Sequence, residues 1–465
     1  MVLAPSTPTP TPAWAAYQDR VGRLKAQYAA IPAGQPVRLA KKTSNLFRPR
    51  ARTTTPGLDV AVFDGVIAVD REARTADVQG MTTYEHLVDA TLPYGLMPLV
   101  VPELKTITLG GAISGLGIES SSFRNGMPHE SVLELDVLTG AGEVLTVSRD
   151  GEHAALFYGF PNSYGTLGYA LRAKIDLEPV CPFVHLRHVR FTDFAALTET
   201  LAEVCAAGAF NSEAVQFVDG TVFSPDECYL TLGSWAEEAP APSDYTRAGI
   251  YYRSIQSQAE DWLTVRDYLW RWDTDWFWCS RAFGAQRPWV RRLAGPRFLR
   301  SDTYWRILAL EERFHPKATI DRWRGLPARE NVIQDVELPI SRLSEFVAGF
   351  QREVPISPFW LCPLRPRDPA AVWELYRLDP ATLYVNVGFW SSVALQPGMD
   401  AAHHNRWVER EVDRLGGRKS LYSTAFYDED HFWDLYNGSV YRDLKQRYDP
   451  AGRLLDLYAK CVRNR

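Results

Sequence analysis

Between Pro102 and Ser122 the chain reads PELKTITLGGAISGLGIESSS, with four glycines in eight residues, Gly110, Gly111, Gly115 and Gly117, set among apolar residues and followed by hydroxyls. Glycine loses more backbone freedom on folding than any other residue, so such a cluster needs a structural reason. One is the close approach of backbone N–H groups to a large, flat, phosphate-bearing ligand. The other is a tight turn between strand and helix. Neither a dinucleotide fingerprint G-x-G-x-x-G behind a strand nor a P-loop lysine is present.

Two further stretches favour the ligand. Lys41 to Arg48 (KKTSNLFR) lies about 60 residues upstream and holds hydroxyls, an amide and three cations in eight positions, a set suited to a diphosphate. Asn162 to Ala170 (NSYGTLGYA) is a small-residue turn leading into Ala170 to Leu177, whose alternation reads as a strand. Such a turn is another place where backbone comes close to a ligand.

Taken in order, these stretches resemble the flavin domain of the vanillyl-alcohol oxidase / p-cresol methylhydroxylase superfamily. The pattern P-x-L-x-x-x-T-x-G-G-x-I-x-G-x-G, the strand ending in Leu138-Thr139-Gly140-Ala141-Gly142-Glu143-Val144 and the Gly165-Thr166-Leu167-Gly168 turn carry the likeness. Within it the chain is most similar to the Δ24-sterol reductase (diminuto/seladin) group and its bacterial relatives that reduce 10-methylene fatty acyl chains. Thr43 to Arg48, Pro102-Glu103-Leu104, Gly117 to Ser122, Val332 to Asp335, Phe359 to Pro363 and Leu383 to Gly388 match that group's own variants.

The resemblance implies an α+β fold: a two-part FAD-binding domain of the p-cresol methylhydroxylase type plus an α+β cap, or substrate domain, with an antiparallel sheet. We expect a disordered tail at 1–12, the N-terminal part of the FAD domain at 13–180, the cap at 181–402 and a segment at 403–465 that completes the FAD domain. It further implies flavin contacts in three places. Thr43, Ser44, Asn45 and Arg48 take the diphosphate side. Thr108, Gly110, Gly111, Ser114, Gly117 and Ser121 wrap the dinucleotide. Gly165, Thr166 and Gly168 complete the pocket. Superfamily members that tether flavin do so through His, sometimes with Cys; neither occurs at 41–48 and no Cys occurs at 102–126, so non-covalent FAD is expected.

Residue patterns agree with a folded enzyme. The chain has 465 residues, 46% hydrophobic and 23% charged, enough for two or three domains. Its net charge of −5 gives no general attraction for nucleic acid. Arginines outnumber lysines 42 to 9, which with abundant alanine points to a GC-rich, bacterial genome. The N-terminal Met1 to Thr11 lacks the basic and apolar parts of a signal peptide, and no apolar run reaches the roughly 18 residues that span a bilayer. Six scattered cysteines without a C-x-x-C pair read as buried thiols in a reducing cytoplasm. His403-His404 reads as a solvated face, and no metal site is expected. Trp14, Tyr17, Val21, Leu24 and Tyr28 share one helical face, Val184 to Phe191 alternates as a strand, and Phe194 to Cys205 reads as a helix.

The reductase group, by resemblance, saturates an isolated C=C bond in a lipid with NADPH as electron donor. In a similar sugar oxidase a lysine follows the Leu-Tyr tyrosine by three residues; here Ala425 stands after Tyr422, which agrees with a reductase. An unpolarised alkene needs a general acid beside it and a dry pocket. Glu337, Asp335, Tyr422 and Glu119 are the candidates. Each also has a plainer role: Tyr422 orienting flavin, Glu119 satisfying loop backbone, Asp335 capping a turn and Glu337 standing on a strand surface. The expected substrate is a 10-methylene acyl phospholipid, reduced to a 10-methyl (tuberculostearic-type) chain, with a methyltransferase as upstream partner. The alternatives are a Δ24-type sterol or isoprenoid reductase and an FAD oxidase of an alcohol. Residues 262–306 hold seven of the fifteen tryptophans and nine arginines against four acids. That composition suits either an anionic membrane surface, with the protein peripheral at the inner membrane face, or a cap core with a solvated arginine face.

Overall fold

The computed structural model describes residues 11–41, 47–48, 57–247, 249–283, 286–303, 305–307 and 327–464. The first helix, Pro12–Ala29, starts with Pro at its first turn and the Thr11 hydroxyl accepting from the Trp14 amide, as expected where the first N–H groups lack helical partners. Its buried face is Tyr17, Val21, Leu24 and Tyr28. That face covers one side of a six-stranded antiparallel sheet, ordered Val66–Asp70, Thr75–Gln79, Tyr169–Pro179, Val132–Leu138, Val144–Ser148, with Leu96–Pro98 also paired to Tyr169–Pro179. The glycine-rich segment forms a helix, Leu109–Gly115, against the core on the sheet's other side.

The second sheet has eight antiparallel strands, ordered Glu260–Thr264, Phe183–Phe191, Glu227–Ala236, Phe217–Ser224, Phe359–Leu364, Tyr384–Ala394, Arg329–Pro339, Arg418–Lys419. Period-two alternation assigns its faces. Val332, Val336, Leu338, Phe359, Leu361, Val385, Val387 and Phe389 pack on the helices Phe194–Ala207, Ile340–Glu353 and His403–Arg414. Trp360, Cys362, Leu364 and Tyr384 point the other way, into the core shared with the glycine helix. The fold is therefore α+β.

The helix His403–Arg414 belongs to the long sheet's helical layer, and Arg418–Lys419 is that sheet's last strand. The chain turns to the six-stranded side only after Leu421, where Glu429–Leu435, Gly438–Tyr448 and Leu457–Cys461 are its helices.

Two expectations change, and one open choice narrows. His404 is not on a solvated face: it is buried, with Nδ1 2.7 Å from Glu330, whose carboxylate also takes the His404 and Asn405 amides at the helix start. Cys181 and Cys279 are half-buried rather than core thiols. The tryptophan-rich segment is mainly core: Trp270, Trp272, Trp276 and Trp278 are buried, as are Arg271 and Arg291. Trp289 is 59% exposed and Leu293 80% exposed.

Candidate flavin and substrate site

A cavity of about 540 Å³ lies between the glycine helix and the long sheet. On the first side the wall is largely backbone. The Thr108 hydroxyl caps the helix by accepting from the Gly111 amide at 3.2 Å, and the Gly110 amide donates to the Gly80 carbonyl at 2.9 Å. A Cβ on Gly110 would stand 2.8 Å from that carbonyl oxygen, and one on Gly80 2.1 Å from the Ala170 oxygen. Helix and sheet thus approach at a distance only glycine permits. Gly165 and Gly168, with φ of +77° and +143°, shape the next turn.

On the opposite side, three neighbouring strands carry two rows of residues, of which Trp360, Asp335 and Asn386 line the cavity. Register aligns Trp360, Gly388 and Asp335, then Cys362, Asn386 and Glu337. Gly388 is bare for a reason: a Cβ there would come 2.5 Å from Asp335 Oδ1. Asn386 Nδ2 donates to Asp335 Oδ1 at 3.3 Å, Tyr422 also donates to this carboxylate, and Trp390 Nε1 donates to the Tyr422 oxygen at 2.8 Å. Burial raises Asp335 to about 6 against the pull of those hydrogen bonds. Glu337 is fully buried one row on, bonded to Tyr376 and, at 3.3 Å, to Ser420; burial raises it to about 8.

The expected flavin residues divide. Thr108, Gly110, Gly111, Ser114, Gly117, Gly165, Gly168 and Arg48 line the cavity. Ser121 and Thr166 do not: their buried hydroxyls are spent on the Leu99 and Ser163 carbonyls, each at 2.7 Å. Thr43, Ser44 and Asn45 lie outside the described residues. Arg48 is buried, donating to the Leu421 carbonyl at 2.8 Å and resting over the Tyr164 ring at 4.9 Å, while its second guanidine nitrogen, Nη2, has no partner among the described residues.

Of the expected acids, Asp335 and Tyr422 line the cavity, and Glu337 stands behind Ser420, which does. Glu119 is displaced from the wall. Its carboxylate is buried against Arg271 at 2.6 Å, and Arg271 also holds Asp219 at 2.7 Å. Glu337 is thus neither a surface residue nor a wall residue, and Asp335 is a strand residue rather than a turn cap. Sequence reading missed Glu103, which lines the cavity beside Pro102 and Leu104. Its only signal was an acid inserted at the mouth of the glycine segment.

The site fits FAD. Backbone from seven glycines lines the cavity, the cations Arg38, Lys41, Arg48 and Lys460 stand there against two acids, and the buried polar atoms Arg48 Nη2, Asn386 Oδ1 and Trp360 Nε1 have no partner among the described residues. Comparison with known proteins agrees. Residues 26–148 match a family model described as FAD binding domain. The Δ(24)-sterol reductase of Arabidopsis thaliana is 25% identical over 444 residues, 88% of this chain and 77% of its own. That of Homo sapiens is 25% identical over 421 residues, 86% of this chain and 76% of its own. Cytokinin dehydrogenase 2 of Arabidopsis thaliana is 32% identical over 157 residues, covering 34% of this chain and 31% of its own. The chain carries an FAD binding domain and is similar over most of its length to the Δ(24)-sterol reductases, in keeping with the p-cresol methylhydroxylase-type superfamily that its motifs resemble.

Proposed function

We propose that this FAD-dependent oxidoreductase reduces a C=C bond in a lipid with NADPH, and that its substrate is a 10-methylene acyl phospholipid made by a methyltransferase. The observation that carries the reading is a cavity with bare backbone on one wall and, on the other, two indoles and the buried carboxyl of Asp335, raised in pKa, in a chain similar to sterol reductases over most of its length.

FAD, when bound, supplies hydride chemistry. Thr108, Gly110, Gly111, Ser114, Gly117, Gly165, Gly168 and Arg48 would hold it, non-covalently, since no histidine or cysteine lines the cavity among the described residues. Trp360 and Trp390 exclude water from the alkene and orient it. Asp335, Tyr422 and Ser420 line the cavity beside it, with Glu337 held behind Ser420. A second reading, a Δ24-type sterol or isoprenoid reductase, is favoured by the names of the relatives.

Anaerobic mixing tests both. NADPH is expected to bleach the flavin, and phospholipid bearing 10-methylene chains to restore its oxidised spectrum. Recovery with a Δ24 sterol instead selects the second reading. Bleaching by an alcohol but not by NADPH would sink both and leave an oxidase.

No helix among the described residues is long and apolar enough to cross a membrane. We place lipid access at the inner membrane face through Trp289 and Leu293, which sit four apart on the helix Pro288–Phe298 beside the exposed Arg287 and Arg292. Trp289→Ala with Leu293→Ala is expected to abolish co-sedimentation with anionic vesicles. Equal binding of both proteins would refute this contact.

A further inference from the structure

An isolated alkene asks three things of its acid: contact with the cavity, a proton held at working pH, and freedom to give it up. The residues already named each lack one. Asp335 is on the wall, but it accepts from Asn386 and Tyr422, and at about 6 it is ionised near neutrality. Glu337 keeps its proton, but Ser420 stands between it and the cavity. The Tyr422 hydroxyl is committed to Asp335, and its pKa is raised well above 10. Glu119 is ion-paired to Arg271 away from the wall.

Glu103 is placed to meet them. It lines the cavity among Pro102, Leu104, Ile107 and Ile118. Among the described residues no other side chain hydrogen-bonds its carboxyl. Burial, and then the charges of Glu119 and Asp335, raise its pKa well above the ordinary value, opposed by its own backbone amide and then by Arg271. Glu103 comes from the glycine-segment wall and Asp335 from the long sheet, so the two carboxyls approach one chamber from different sides.

We infer that Glu103 is the catalytic acid that protonates the lipid double bond, with the nearby carboxylates of Glu119 and Asp335 keeping it loaded. This rests on the reading above. The Glu103 O–H bond breaks, and the alkene π pair forms a C–H bond with that proton at the less substituted carbon. The other carbon becomes a tertiary cation and takes a hydride whose two electrons derive from the reduced nicotinamide. Solvent then returns a proton to the carboxylate. The alkene gains two electrons and the nicotinamide loses two.

The test uses FAD-loaded protein with Glu103→Gln and Glu103→Asp. Infrared difference spectra over a pH titration of the oxidised protein are expected to show a neutral carboxyl band that Glu103→Gln lacks. Recovery of pre-reduced flavin on adding 10-methylene phospholipid is expected to fall by roughly 10²–10⁴-fold in Glu103→Gln and to return in part in Glu103→Asp. The acid acts protonated, so the wild-type rate is full at low pH and falls as pH rises through the raised pKa; Glu103→Gln flattens that limb. A Glu103→Gln protein within tenfold of wild type overturns the acid role and leaves the reductase reading intact. So does an unchanged pH profile in Glu103→Asp, should the glutamine variant fail to load flavin. A wild-type protein that no methylene or sterol lipid reoxidises overturns the reductase reading, and the acid role with it.

Discussion

Arg271→Leu is expected to destabilise the protein by about 3–5 kcal/mol, the range for removing one member of a buried ion pair. The Arg271 side chain is 1% exposed and bridges Glu119 and Asp219, and its guanidinium lies 4.2 Å from the Tyr268 ring centre. Without it, two carboxylates stay buried with no counter-charge. Glu119 Oε2 and Asp219 Oδ1 already lack partners among the described residues. Burial raises Asp219 to about 6, with Arg271 pulling it down. In the variant that opposition is gone, so the folded-state pKa of Asp219 moves further above its unfolded value. Stability is then lost as pH rises from the unfolded value through the folded one, and the deficit is largest above neutral pH and shrinks toward pH 5. Urea denaturation at several pH values reads this directly. A deficit that is flat with pH, or no larger than that of Arg266→Leu at the half-exposed pair with Asp89, would show that the triad is not a buried charge cluster.

Gly80→Ala has the next largest expected effect. The added methyl would lie 2.1 Å from the Ala170 carbonyl oxygen and 2.9 Å from its carbon, both backbone atoms of the central strand Tyr169–Pro179. No rotamer change relieves a backbone clash. The strand or the glycine helix must move, and the Gly110 amide bond to the Gly80 carbonyl goes with it. The cost is expected at or above the upper end of the ~1–3 kcal/mol typical of overpacking, together with loss of bound flavin on desalting. Gly22→Ala is the matched control. Gly22 lies inside the first helix with nothing within 4 Å of an added Cβ, so it is expected to gain about 0.5–1 kcal/mol. Equal behaviour of the two variants would mean that close approach at Gly80 is not what the glycine serves.

The contrast between those two glycines shows what the sequence discloses. Periodicity disclosed the first helix, the strand Phe183–Phe191 and the helix Phe194–Ala207, because burial repeats with the backbone's own period. Glycine clustering disclosed the cavity's backbone wall. Direction was not legible. Ser121 and Thr166 sit among cavity residues in sequence, yet their hydroxyls turn to nearby carbonyls. Nor was burial of charge. Arg271 and Arg292 look alike in an arginine-rich stretch, but one is enclosed by two acids and the other is exposed. Glu103 was overlooked because a single acid carries no period; only the approach of Asp335, 232 positions later in the chain, gives it a setting. The Trp360–Gly388–Asp335 row likewise joins three separate strands, which no local pattern contains.

Arg48 donates to the Leu421 carbonyl and to Cys461 Sγ, across 373 and 413 residues. Contacts that distant are slow to form, because loop closure is costly before they reward it. During synthesis the glycine wall and the long sheet's first strands can assemble early, but the cavity lacks its last side until residues 421–461 have emerged. The flavin pocket is therefore the final part of the molecule to mature. A chain stalled within the long sheet would present an open, apolar half-site to aggregation and to chaperones.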